Sequence, residues 1–286
     1  MMRPTGTTRL AGVIGDPVRH SLSPALHNAG FAHLGLDWTY VALEVPAGGG
    51  AAAVAAMRVL GIDGLSVTMP LKAEVAEACD ELSPAAAMLG AVNCVRRSGD
   101  RLIGENTDGV GFVNSLRSQA GVEPAGKHVV VLGAGGAARA VVVALVSEGA
   151  SITIVNRSIE PAMRAVELGK TAALAAGVGS AMSVMAGAPG AVRDADLVVN
   201  ATPLGMHGSD PLPLEPDLLH SGQLVVDLIY TPAVTPILEI ADEAGAQTLN
   251  GTGMLLFQAA EQFKMWTGRD APTRAMGAAV GLDIAG

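Results

Sequence analysis

The tract His128–Leu132 and the glycine-rich turn after it constrain the fold of this chain more than any other segment. The apolar run His-Val-Val-Val-Leu reads as a buried strand. It is followed by Gly133-Ala134-Gly135-Gly136-Ala137-Ala138, which fits G-x-G-x-x-[G/A]. Gly133 permits a tight turn, Gly135 lets the backbone approach a pyrophosphate, and a small residue at 138 permits close helix–strand packing. A helical pattern follows, then a second strand candidate, Ile152–Asn156. Strand, glycine turn, helix and strand make a βαβ unit, and such a unit demands a parallel sheet. The free N–H groups and positive dipole end of the helix suit a pyrophosphate. The expected ligand is therefore a dinucleotide, cradled by Gly133, Ala134, Gly135, Gly136 and Ala137.

The tip of the second strand indicates which dinucleotide. NAD sites usually place a carboxylate there to bond the ribose 2′-hydroxyl. This chain has Asn156-Arg157-Ser158 instead. Arg157 is either a solvated surface residue or the planar partner of a 2′-phosphate. The second reading predicts NADP over NAD.

Further strand candidates are Leu10–Ile14, Thr39–Glu44, Gly64–Thr68, Leu197–Asn200 and Val225–Leu228, with helical patterns between most of them. This alternation predicts an α/β fold with parallel sheets. Asn93–Arg97 and Arg101–Glu105 flank Ser98-Gly99-Asp100 and predict a hairpin at a sheet edge. A helix over 109–119 runs into the breaker-rich Gly121-Val122-Glu123-Pro124-Ala125-Gly126. The expected division is residues 1–112, 113–250 and 251–286. The last piece holds two helical patterns, Met254–Thr267 and Thr273–Leu282.

Half of the 286 residues are apolar and 16% are charged, which supplies ample core. The net charge of -9 argues against a nucleic-acid surface. No uninterrupted apolar run reaches 18 residues, so no membrane span is expected. The first strand candidate starts at Leu10, which leaves no room for a leader and predicts a cytoplasmic protein. Cys79 and Cys94 make neither a metal spacing nor a disulfide framework, and the six histidines do not cluster. No metal is expected.

Four polar groups stand within the first 110 residues. Ser21 and Ser23 follow the first strand. Ser23-Pro24 is a sound helix start, so capping alone explains Ser23 but not Ser21. Two hydroxyls at a helix N-terminus would suit a carboxylate. In Ser66-Val67-Thr68-Met69-Pro70-Leu71-Lys72, proline ends a strand and Lys72 enters a helix. Lysine occurs only at 72, 127, 170 and 264, so arginine carries most of the positive charge. Lysine loses its proton when desolvated and arginine does not, which makes Lys72 a candidate acid/base group. An ordinary solvated lysine is the alternative. The remaining groups are Ala91-Val92-Asn93 and Glu105-Asn106-Thr107-Asp108-Gly109, where Asp108 is either an N-cap or a functional acid.

Read together, these blocks resemble the shikimate dehydrogenase family almost end to end. They run Ser-x-Ser-Pro at 21–24, Val-Thr-x-Pro-x-Lys at 67–72, Gly-Ala-Val-Asn at 90–93 and Asn-Thr-Asp-Gly at 106–109. Gly-Ala-Gly-Gly-Ala at 133–137, Asn-Arg-Ser at 156–158 and Asn-Ala-Thr-Pro-Leu-Gly-Met at 200–206 come next. Asp227 to Tyr230, Thr235-Pro236, Asn250-Gly251-x-Gly-Met-Leu and Gln258 complete the set. The resemblance implies an α/β substrate domain, a Rossmann-type dinucleotide domain, and C-terminal helices that return to the first domain. It implies reversible NADP-dependent reduction of 3-dehydroshikimate to shikimate, on the route to aromatic amino acids, by a monomer or homodimer. Lys72 and Asp108 would be the catalytic pair. Ser21 and Ser23 would hold the substrate carboxylate with Tyr230 beside it, Thr68, Asn93, Asp108 and Gln258 would meet ring hydroxyls, and Ser66 would join the substrate residues with its ring-hydroxyl bond lost or bridged by water. Thr202, Leu228, Gly251 and Met254 would join Asn156, Arg157, Ser158 and the glycine turn around the cofactor. Quinate or an aminoshikimate is the alternative substrate. A non-catalytic NADP-binding regulator is disfavoured, because binding alone needs no transferable proton. Two positions depart from the family pattern: Ser66 replaces a frequent Asn, and Pro161 replaces a frequent second basic residue, so either Arg157 binds the phosphate alone or Arg164 helps it.

Overall fold

A computed structural model describes residues 4–178 and 182–284. In chain order it contains β1 (Arg9–Gly15), α1 (Ser23–His33), β2 (Trp38–Glu44), α2 (Gly50–Val59), β3 (Gly64–Val67), α3 (Lys72–Ala78), β4 (Glu81–Leu82) and α4 (Pro84–Leu89). Next come β5 (Cys94–Ser98), β6 (Arg101–Glu105), α5 (Asp108–Ser115), β7 (His128–Leu132), α6 (Gly136–Ser147), β8 (Ser151–Val155), α7 (Ile159–Ala176) and β9 (Val184–Ala186). The remainder is β10 (Leu197–Asn200), β11 (Leu224–Asp227), α8 (Pro236–Glu243), β12 (Gln247–Leu249), α9 (Thr252–Thr267) and α10 (Thr273–Ala278). The chain forms two compact units, Met1–Gly111 with Leu255–Gly286, and Phe112–Met254.

The second unit is built on a wholly parallel sheet in the order β12-β11-β10-β7-β8-β9. Its central strands are apolar at nearly every position because both faces are covered. Successive side chains point to opposite faces, and the packing follows that rule. Val129, Val131, Ile152, Ile154 and Val199 pack with Val141 and Leu145 of α6 and Ala162 and Val166 of α7. Val130, Leu132, Val198 and Val225 pack with Ile237, Leu238 and Ala241 of α8. This is the doubly wound, Rossmann-type arrangement, with the strand order reversing between β7 and β10.

The first unit has a mixed sheet in the order β2-β1-β3-β5-β6-β4. Ala11, Val13, Tyr40 and Cys94 face α1, α9 and α10 through Leu26, Phe31, Leu256, Phe263, Trp266 and Met276. Ile14, Leu65, Val67, Val95 and Leu102 face α2, α3 and α4. Gly64 lets the Trp266 indole lie flat on β3, where a Cβ would overlap the ring. The indole Nε1 then donates to the Val95 carbonyl at 3.1 Å.

The α/β class and the Rossmann-type sheet are those the sequence predicts. Local details differ. Strand β5 starts at Cys94, and Ser98 pairs with Arg101, so the hairpin loop is Gly99-Asp100 with Gly99 at φ +61°. The hairpin is not at the edge, because β4 pairs with β6 outside it. The helix expected over 109–119 is α5 continued by a π turn, Leu116–Ala120, which Gly121 closes at φ +64°. Helix α9 begins at Thr252, two residues before the expected start, and α10 stops at Ala278. Among the described residues, no helix is long and apolar enough to cross a membrane.

Candidate active site

In the first unit, Lys72 is the first residue of α3 and Asp108 the first of α5. Their neighbours fix both starts. The Val92 N–H donates to the Lys72 carbonyl at 2.9 Å. Asn106 Nδ2 donates to the Ala91 carbonyl at 3.0 Å, while Asn106 Oδ1 accepts from the Asp108 N–H at 3.1 Å. The strand-end loops are thereby clamped together, and Lys72 Nζ donates to Asp108 Oδ2. The two side chains are 25% and 11% exposed, so the pair is reachable but largely withdrawn from water.

Asp108 is not an N-cap. Its Oδ1 accepts from Asn93 Nδ2 at 2.7 Å, and its other oxygen serves Lys72. The Asn93 side chain is engaged at both ends, with Oδ1 accepting from the Thr107 N–H at 2.8 Å and Nδ2 donating also to Thr107 Oγ1 at 3.0 Å. Gln258 of α9 joins this group, since Thr107 Oγ1 donates to its carbonyl at 3.2 Å. The approach is possible because residue 111 is glycine: a Cβ there would stand 2.6 Å from the Gln258 nitrogen. Lys72, Asn93, Thr107, Asp108 and Gln258 therefore form one cluster from four separate stretches of sequence.

Ser23 is not a cap either. It is the first residue of α1, is buried, and makes no capping bond. Its N–H donates to Ser21 Oγ at 3.3 Å, which ties the Ser21 hydroxyl to the start of α1. Thr68 follows β3, its N–H held by the Ile14 carbonyl at 2.9 Å. The expectation of a substrate contact at Ser66 is corrected. That hydroxyl is buried, accepts from the Tyr40 hydroxyl at 2.6 Å, and donates to Gln262 Oε1. Sequence reasoning missed Tyr40, Thr107 and Gln262. The available signals were the Gln258-x-x-x-Gln262 spacing, one helical turn on the same face, and a tyrosine in a chain that has only two.

The residues expected at the dinucleotide lie in the second unit, at the carboxyl ends of its strands. Gly133 has φ +103°, and a Cβ there would come 3.0 Å from the Ala201 carbonyl oxygen, so the turn after β7 requires glycine. A Cβ at Gly135 or Gly136 would meet open space, which leaves the backbone accessible to a phosphate. Gly135 precedes α6 with no side-chain cap, and no acidic residue occupies the first turn. Ala137 lies in that turn, Ala134 packs on the strand-face cluster, and Ala138 is buried in it. At the end of β8, Asn156 Nδ2 donates to the Ser158 carbonyl at 2.8 Å, which shapes the loop that carries Arg157. Arg157 is exposed and has no acidic partner among the described residues. Thr202 is tied to Asn200 Oδ1 through its N–H (3.1 Å) and hydroxyl (2.7 Å). Asn200 Nδ2 donates in turn to Asp227 Oδ1 at 3.1 Å. Burial raises the Asp227 carboxyl above its usual range, against the bonds from Thr235, the Ile229 N–H and Asn200. Gly251 passes so close to the Leu228 carbonyl that no Cβ fits, and Met254 packs on the same cluster as Leu228. Tyr230 is half-buried just after β11, and its burial raises its pKa. These residues fit a dinucleotide: an open glycine cradle, an uncapped helix start, and a free guanidinium where NAD sites carry an acid.

Comparison with known proteins gives the family. Three family profiles match: the shikimate dehydrogenase substrate binding domain over residues 13–95, shikimate / quinate 5-dehydrogenase over 116–204, and the shikimate 5'-dehydrogenase C-terminal domain over 251–280. The chain is 45% identical to shikimate dehydrogenase (NADP(+)) of Methanopyrus kandleri over 284 residues, 96% of this chain and 95% of that one. The crystal structure of shikimate 5-dehydrogenase from Thermus thermophilus, in complex with NADP(H) and shikimate, superposes with a TM-score of 0.85 at 34% identity, covering 95% of this chain and 98% of that one. Quinate dehydrogenase from Corynebacterium glutamicum, in complex with NAD, gives 0.84 at 29% identity, covering 96% and 98%. The chain belongs to the shikimate dehydrogenase family.

Proposed function

We propose that the protein catalyses the NADP-dependent, reversible reduction of 3-dehydroshikimate to shikimate, with residues 1–111 and 255–286 holding the substrate and residues 112–254 holding the cofactor. The observation that carries the reading is the Lys72–Asp108 pair, largely withdrawn from water and joined to Asn93 and Gln258. Bound NADPH would supply the hydride; Gly133–Ala137 would hold its pyrophosphate and Arg157 its 2′-phosphate. As hydride arrives, the substrate carbonyl oxygen gains negative charge. An ammonium beside it stabilises that charge and gives up a proton. Lys72 has two N–H groups left after Asp108 takes one. Asp108, fixed by Asn93, keeps the amine aimed and leaves a lone pair for an adjacent hydroxyl. In the oxidative direction, neutral Lys72 accepts the hydroxyl proton. Ser21 and Ser23 supply paired hydroxyls for the carboxylate.

The test is NADPH formation when purified protein is given shikimate and NADP+, with quinate and NAD+ as parallel arms. The expected result is the highest kcat/KM for shikimate with NADP+. Absence of turnover, or faster turnover of quinate, overturns the reading.

A further inference from the structure

We propose that Gln262, held by Ser66 and Tyr40, is a positioning residue that locks the Gln258 amide as a hydrogen-bond donor to substrate; this rests on the functional reading above. Gln262 is fully buried and lies one helical turn after Gln258 on α9. The polarity of every bond around it is forced. The Leu255 carbonyl can only accept, so the Gln258 atom 2.9 Å from it is Nε2. The Asn93 carbonyl also can only accept, so the Gln262 atom 3.4 Å from it is Nε2. The same nitrogen gives one N–H to Gln258 Oε1 at 2.6 Å and shares the other between the Asn93 carbonyl and Thr107 Oγ1 at 3.2 Å. Gln262 Oε1 has lone pairs only, so Ser66 gives it a proton and must itself accept from the Tyr40 hydroxyl. The chain of donors therefore runs one way, from Tyr40 through Ser66 and Gln262 to Gln258 Oε1.

With that oxygen occupied and one amide proton given to Leu255, Gln258 has a single group free, the second proton of Nε2. A substrate hydroxyl must meet it with an oxygen lone pair and keep its own proton for another acceptor. Without Gln262 the Gln258 oxygen keeps only the longer contact from Asn93 Nδ2 at 3.4 Å, and the amide is held less firmly in the orientation that aims Nε2 at substrate. Ser66, shorter than an amide side chain, leaves the room that Gln262 fills.

The experiment is a double-mutant cycle on the full chain, with Gln262→Met, Gln258→Ala and the pair, assayed for KM of shikimate, KM of NADP+ and kcat. Tryptophan emission checks folding, since Trp266 sits on the same helix. Losing one oriented donor predicts a roughly five- to tenfold rise in KM for shikimate in Gln262→Met, with kcat and KM for NADP+ within about twofold of wild type. In the Gln258→Ala background, Gln262→Met should add nothing. Ser66→Ala, a smaller change, should raise KM in the same direction and be silent in the same background, and it carries the test if Gln262→Met does not fold. An unchanged KM, or an equal further rise on Gln258→Ala, overturns the inference while wild-type turnover upholds the function. A wild type inert toward shikimate overturns both.

Discussion

His27 offers a quantitative test of the packing in the first unit. It lies on the buried face of α1, with no exposed surface, and neither ring nitrogen has a hydrogen-bond partner. Its surroundings are aromatic: the Tyr40 ring stacks at 4.4 Å and Trp266 lies at 5.1 Å. A charged imidazolium finds nothing there to replace water, so burial pushes the His27 pKa down to about 3. An unfolded histidine titrates near ~6.5. The folded value is the lower one, so the folded chain excludes a proton that the unfolded chain takes up. Stability is fully present above the unfolded value and falls as pH drops through the window between the two. At about 1.36 kcal/mol per pH unit, His27 should subtract roughly 2 kcal/mol from the unfolding free energy between pH 7.5 and pH 5. His27→Leu removes the titrating group at similar volume. It also removes the stacking and the unpaired nitrogens, worth about 0.5–1.5 and 1–3 kcal/mol in opposite directions. Those terms do not depend on pH and cancel when slopes are compared. Both tryptophans, Trp38 and Trp266, belong to this cluster, so urea unfolding followed by tryptophan fluorescence reports this unit alone. The expected result is a wild-type stability that falls about 2 kcal/mol further than the variant's over that range. Parallel pH profiles, within about 0.5 kcal/mol, would refute the claim that the ring stays neutral and dry.

Two further outcomes concern the chemistry. Lys72→Ala should lower kcat by roughly 10²–10⁴-fold with a much smaller change in KM, and Lys72→Arg should fail as well, because its charge remains but its proton is not transferable; steady-state kinetics with shikimate and NADP+ measure both. Arg157→Ala should raise KM for NADP+ by roughly 10–100-fold and leave KM for NAD+ unchanged, because only the phosphorylated ribose loses a charge-assisted pair.

The long parallel strands were legible because burial on both faces leaves an uninterrupted apolar run, as in His-Val-Val-Val-Leu at β7 and Leu-Val-Val-Asn at β10. The strands that escaped are β4, β9 and β12, of two to three residues each, too short to show any period. Their pairing is decided by the sheet they join. The π turn after α5 escaped for the opposite reason, since its residues continue a good helical pattern. Within the site, Lys72 and Asp108 stood out because charged residues at element starts require an explanation. Gln262 and Tyr40 did not. A glutamine on a helix and a tyrosine on a strand are ordinary residues until the fold joins them through Ser66, which stands 196 positions before Gln262. Ser66 was misplaced for the same reason: a motif gives the residue, but only the fold shows which way its hydroxyl is spent.

The same local device recurs at four strand ends. Where a ladder stops, the next backbone N–H groups lose their partners, and a short amide or carboxylate side chain can accept from the N–H two residues on. Asn106 does this for Asp108 after β6, Asn200 for Thr202 at the end of β10, Asp227 for Ile229 at the end of β11, and Asn250 for Thr252 after β12. Asn156 turns the chain after β8 with reversed polarity, donating to the Ser158 carbonyl. Each turn fixes the direction of departure from a rigid sheet, so the backbone of the residue two positions on is set before its side chain makes any contact. Of the candidate site residues, Asp108, Asn156, Arg157, Ser158, Thr202 and Gly251 fall in Asn-x-x tripeptides at 106, 156, 200 and 250.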